Sequence, residues 1–138
     1  MKLPLDADDA TILAAVRAWV TLLAEERYQD AYDALYHPVG DHWTPRLIET
    51  AIRTYGSIEP AATGTSYRVT PLETAIGELS PRHEVDRFDD MPGGVVGLVG
   101  MVWFDLPLNG RWSDLTATFY VERRDATLVV ELNDIHVM

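Results

Sequence analysis

Residues 95–138 read VVGLVGMVWFDLPLNGRWSDLTATFYVERRDATLVVELNDIHVM. Two apolar runs and a third, alternating one are split at Pro107-Leu108-Asn109-Gly110 and at Arg123-Arg124-Asp125, the pattern of an antiparallel three-stranded meander. Taking Asn109-Gly110 as a two-residue turn sets Phe104 opposite Leu115, Val102 opposite Ala117, Gly100 opposite Phe119 and Leu98 opposite Val121. One whole face becomes apolar, and a turn near Arg124-Asp125 brings Leu128, Val130 and Leu132 onto it. Strand side chains alternate, so a slip of one residue would turn this face to solvent, and the register has a physical reason to hold. Gly97 and Gly100, inside an otherwise strong strand, predict a bend, with Phe119 covering the gap at Gly100.

The opposite face carries Val99, Met101, Trp103, Trp112, Thr116, Thr118 and Tyr120, too apolar for a surface left in water. A homodimer through the sheet accounts for it, with Met101, Trp103, Trp112, Thr118 and Tyr120 at the interface.

Upstream, the period changes from two to about 3.6. Ile12, Val16, Trp19, Val20 and Leu23 form one stripe of a helix from about Ala7 to Glu26, with Asp6 as N-cap and Asp8 and Asp9 in its first turn. Tyr28, Ala31, Tyr32 and Leu35 mark a second helix over Tyr28 to Tyr36, stopped by His37-Pro38-Val39-Gly40. Thr44-Pro45 opens a third, whose apolar positions are Ile48, Ala51, Ile52 and Tyr55 and whose left-handed end is Gly56. Ser66 to Thr70 and Arg82 to Phe88 read as edge strands, flanked by Pro71 and Pro81.

The chain has 138 residues, a length that suits one domain spanning 1–138. Its 22 acidic and 11 basic residues give a net charge of -11, which repels phosphates and argues against nucleic acid or an anionic membrane as partner. With no cysteine, disulfides, thiol nucleophiles and thiolate metal sites drop out. Met1-Lys2-Leu3-Pro4-Leu5-Asp6 has no apolar core of a signal peptide, so a cytoplasmic protein is expected.

Asp105 falls opposite Asp114 in this register, where two carboxylates would share a proton or hold a cation. Ser113, Asp134 and His136 gather at one rim of the apolar face, as a nucleophile with its base or as polar handles for a ligand. Tyr28, Tyr32, Tyr36 and Tyr55 place phenols on helices that would wall a pocket. The ligand-binding candidates are therefore Tyr32, Tyr55, Ser113, Asp134 and His136. No metal is expected, since no pair among His37, His42, Asp134 and His136 has a recognised ligand spacing. The glycines from Gly93 to Gly100 lack the GxGxxG spacing and a following lysine, so no nucleotide cofactor is expected either.

Three N-terminal helices packed on a strongly bent antiparallel sheet make an α+β chain that resembles the nuclear transport factor two-like superfamily. That superfamily has a cystatin-like cone, shared with ketosteroid isomerases and polyketide cyclases. The carriers are the helix with Ile12 to Leu23, the short helix with Ala31 and Leu35, and the strands 95–105, 112–122 and 127–137. The resemblance implies a pocket between helices and sheet and dimers through the sheet. It also implies catalytic candidates. Tyr32 would stabilise an enolate while Asp86 or Asp105 moves a proton, as in isomerase-like members, or His136 would work with Asp134, as in dehydratase-like ones.

No motif demands catalysis, so the leading expectation is a noncatalytic domain binding a hydrophobic small molecule or a protein. A cofactor-independent isomerase, cyclase or dehydratase acting on a carbonyl compound is the alternative from the enzyme class. An acidic immunity or adaptor protein that blocks a basic partner is the third.

Overall fold

In the computed structural model, which describes residues 1–57, 64–88 and 97–137, three helices stand N-terminal to the long strands of a curled, five-stranded antiparallel sheet. The elements are β1 (Lys2–Pro4), α1 (Asp9–Ala24), α2 (Tyr28–Ala34), α3 (Pro45–Arg53), β2 (His83–Arg87), β3 (Leu98–Leu108), β4 (Arg111–Arg124) and β5 (Thr127–Val137). Their order across the sheet is β1-β5-β4-β3-β2. The α+β class and the bent antiparallel sheet stand as expected. Gly93, Gly94, Val95 and Val96 lie outside the described residues.

Local chemistry sets the ends. Asp8, not Asp6, caps α1, its Oδ1 accepting from the Thr11 amide at 2.8 Å and the Thr11 hydroxyl at 2.6 Å. Thr44 caps α3 through Leu47 N–H at 3.0 Å, and Pro45 fills the first helical position. α2 stops at Ala34, short of Tyr36, because Leu35 turns extended and the Tyr36 N–H donates to the Val130 carbonyl at 2.9 Å, on β5. β1 has no counterpart in the sequence reading. Its three residues are too few to show a period, and pairing with Thr127–Val129 of β5 supplies the strand. The expected strand over Ser66 to Thr70 is reduced to one bridge, Val69 with Leu108, whereas Arg82 to Phe88 does hold the edge strand β2.

Three irregularities modify the predicted register. Asp105 pairs with Thr116 and Pro107 with Trp112, so Ser113, Asp114 and Leu115 stand opposite Leu106 alone. Beyond this bulge β4 is displaced by two residues. Phe104 faces Ala117, Val102 faces Phe119 and Gly100 faces Val121. An even displacement keeps every side chain on its face, so the apolar side survives. Between Leu98 and Gly100 the register shifts again, pairing Leu98 with Glu122. A Cβ on Gly100 would stand 2.7 Å from the Asp86 carbonyl of β2, so close strand approach, not cover by Phe119, requires glycine there. The third irregularity leaves Asn133 unpaired between Leu132, opposite Phe119, and Asp134, opposite Thr118.

The helices cover the apolar side. Ile12, Val16, Trp19, Val20 and Leu23 of α1 join Ile48 and Ile52 of α3 and Val102, Phe104, Leu115, Phe119, Val121, Val130 and Leu132 in one core. Trp19 meets Phe119 edge to face at 5.1 Å, and its indole N–H donates to the Ala31 carbonyl at 3.1 Å, tying α1 to α2. Among the described residues no helix is long and apolar enough to cross a membrane.

Candidate functional site at the bulged end of the sheet

The bulge decides where the polar groups of this end go. The Ser113 hydroxyl donates to the Leu106 carbonyl at 2.7 Å and accepts from the Leu115 amide at 3.2 Å, so both of its functions lock the extra residues in place. Ser113 is thus a buried structural residue. The bulge turns Asp114 toward the end of α3, where the Tyr55 hydroxyl donates to it. Tyr55 and Gly56 both leave the helix in the left-handed region, φ 55° and 76°. Gly56 lies so close to the sheet that a Cβ would stand 3.0 Å from Leu115 Cδ1. Burial, then Asp114, push the Tyr55 hydroxyl up to about 12, so it remains a donor at neutral pH.

Just before the bulge, Trp112 lies edge-on to His83 at 5.3 Å, and His83 stacks on Phe104 at 3.7 Å with 8° between the rings. Trp112 therefore sits with His83 and the core aromatics, not on the far face with the expected dimer residues. It lines two cavities. One, of about 330 Å³, is bounded by Arg17, Leu72, Glu73, Pro81 and His83. The other, of about 410 Å³, holds Tyr55, Tyr67, Leu79, Arg111 and Asp114.

His83 is the best-defined group of the first cavity. Its Nε2 lies 3.0 Å from the Asp105 carbonyl, which only accepts, so Nε2 carries the hydrogen and Nδ1 keeps a lone pair with no protein partner among the described residues. Burial, aided by the Arg17 charge, holds the imidazole below its usual range, and at neutral pH the ring is uncharged.

The expected pairings at this end are not assembled. Asp105 is separated from Asp114 by the bulge. Its Oδ1 accepts from the Thr116 hydroxyl at 2.6 Å and its Oδ2 from the Arg82 amide at 2.8 Å. Asp86, on the edge strand, accepts from the Trp103 indole at 3.1 Å. Tyr32 stacks on His37 at 4.0 Å, whose ring reaches the Asp41 carboxylate at 2.6 Å and the Tyr32 carbonyl at 2.7 Å. The Asn133 bulge, an odd displacement, sends Ile135 into the core and puts Asp134 and His136 beside Thr118 and Thr116 on the far side. They lie 3.1 Å apart without hydrogen-bond alignment, away from Ser113, so the serine, histidine and aspartate rim does not form. Asp134 instead borders a third cavity, of about 430 Å³, with Trp43, Leu47 and Ala51. Of the expected ligand residues, only Tyr55 and Ser113 come together.

On the far face, Thr118 is fully buried and its hydroxyl accepts from the Asn133 side-chain Nδ2 at 3.1 Å, so it is not exposed for an interface. Met101, Trp103 and Tyr120 stay half-buried, with the Arg82 guanidinium 4.4 Å over Trp103. Glu122 is buried there, one carboxylate oxygen bonded to Arg124 at 2.8 Å. Glu131 lies beside it. Its carboxyl is pushed up to about 8 by burial first, then by hydrogen bonding and repulsion from Glu122 and by the charge of Asp41. Glu131 interrupts the apolar run from Leu128 to Leu132, and that pattern was the available signal for it. His83 had a weaker one, a histidine near Pro81 at the start of an edge strand.

Among the described residues no three His, Asp or Glu side chains are grouped to hold a metal ion. Compared with models of known protein families, with curated proteins and with solved structures, the chain matches none.

Proposed function

We propose that the chain is a noncatalytic binding domain of the nuclear transport factor two-like type, acting in the cytoplasm, that takes a small, flat hydrophobic molecule bearing one hydroxyl into the His83 cavity. One observation carries this reading. A neutral imidazole, fixed between Phe104 and Trp112, keeps its Nδ1 lone pair unpartnered in a concave, mostly apolar setting. Such a setting binds through flat apolar contact and selects through few polar groups. A ligand hydroxyl can donate to Nδ1, which is the acceptor left on the ring. A homodimer through the far face goes with this reading, centred on Met101, Trp103 and Tyr120, and sedimentation at micromolar concentration tests it: a monomer removes it.

2-Naphthol and naphthalene test the cavity. The native chain is expected to bind 2-naphthol about 2- to 10-fold more tightly, the worth of one hydrogen bond. His83→Phe, which keeps a ring on Phe104, should erase that preference, and Trp112→Ala should weaken both ligands. Affinities unchanged by both substitutions would remove the proposal.

A second reading is supported by the same nitrogen. Nδ1 is free to act as a base, and Glu73 shares the cavity, the minimum for proton transfer next to a carbonyl. Here His83 replaces Tyr32, Asp86, Asp105 and His136 as the residue for a cofactor-independent isomerase or dehydratase. Deuterium uptake from heavy water at the α-carbon of a ketone, lost in His83→Phe, would favour it.

A further inference from the structure

The cavity on the other side of Trp112 has a different chemistry. Tyr55 and Tyr67 meet edge to face, with centroids 4.8 Å apart and 62° between their planes. Trp112 and Leu79 complete the apolar wall, and the carboxylate of Asp114 stands among them. Two irregular features converge to make this arrangement. The β4 bulge brings Asp114 to the site, and the left-handed backbone of Tyr55, an unfavourable conformation for a bulky side chain, brings the phenol to Asp114. The tyrosine hydroxyl occupies only one of the several lone pairs of the carboxylate, so the negative charge remains available to the cavity.

Aromatic faces carry negative quadrupoles, and several of them around a carboxylate attract an alkylated cation that is too weakly hydrated to prefer water. We propose that the cavity bounded by Tyr55, Tyr67, Trp112 and Asp114 is a binding site for a quaternary or methylated ammonium group. Arg111 is the opposing charge among the lining residues; it and Asp114 are both exposed, so water screens both charges.

Choline and its uncharged isostere 3,3-dimethylbutan-1-ol separate charge from shape. Followed by chemical-shift titration of the intact chain, choline should bind at least about tenfold more tightly than the alcohol. Tyr67→Ala and Asp114→Asn should each weaken choline by about 2- to 5-fold, whereas Arg111→Ala should tighten it. Unchanged amide shifts away from the cavity show that the Tyr67 and Asp114 variants still fold, whether or not the native chain binds 2-naphthol. Equal affinity for choline and the alcohol, no choline binding, or choline binding indifferent to both Tyr67→Ala and Asp114→Asn would overturn the proposal.

Discussion

The two faces of the sheet are made from the same three strands and reach burial by different means. Toward the helices, Val102, Phe104, Leu115, Phe119 and Val121 are fully buried, and α1 closes over them with a matching apolar stripe. On the far side Thr116 and Thr118 are also fully buried within a single chain, but as groups with hydrogen-bond partners, and beside them lies a carboxylate, Glu122, with only 5% of its side chain exposed. The first face holds by dry packing. The second depends on polar groups satisfying one another, which ties its stability to hydrogen bonding and to pH.

Neighbouring residues on β4 give the largest test of that contrast. Phe119→Ala removes a fully buried ring that Trp19 packs against, and should cost about 3–5 kcal/mol in urea unfolding. Tyr120→Ala, from the half-buried side, should cost less than half as much. Similar losses would mean that the far face is packed as a second core. A smaller effect is expected at Thr118→Val, which keeps the shape and removes the acceptor of the Asn133 side-chain amide, at about 1 kcal/mol. A double-mutant cycle with Asn133→Ala should show the two effects coupled, and strict additivity would mean that this hydrogen bond contributes nothing.

Face assignments were legible in the sequence as far as the irregularities displaced strands by even numbers. The Ser113–Leu115 bulge moved β4 by two residues, and Phe104, Ala117 and Phe119 stayed on the predicted side although every partner changed. Asn133 moved the end of β5 by one, and Asp134 and His136 went to the other side. Neither bulge announces itself, because hydrophobic alternation reports parity and not pairing. The helix stripes were legible for the same reason that the strands were: each repeats over several turns. His83, Arg17 and Glu73 were not, since a cavity assembled from α1, a short turn and an edge strand leaves no local pattern.

Glu131 gives the finest distinction between the faces. Its carboxyl is raised to about 8, against 4.5 for an ordinary glutamate, so through this interval the folded chain holds a proton that the unfolded chain has released. The sign follows: the contribution of this group is complete below about pH 4.5 and is lost as pH rises through about 8. Glutamine imitates the protonated carboxyl, so Glu131→Gln should be more stable than the native chain at the alkaline end and nearly equal to it in acid. His83 acts in the opposite sense. Held below the usual histidine range, it contributes stability that is lost as pH falls, but equally in both proteins. The difference in melting temperature between Glu131→Gln and the native chain should therefore widen steadily from about pH 5 to about pH 8. A difference that stays constant would show that Glu131 is an ordinary exposed acid, and the far face would lose its pH sensitivity at that position.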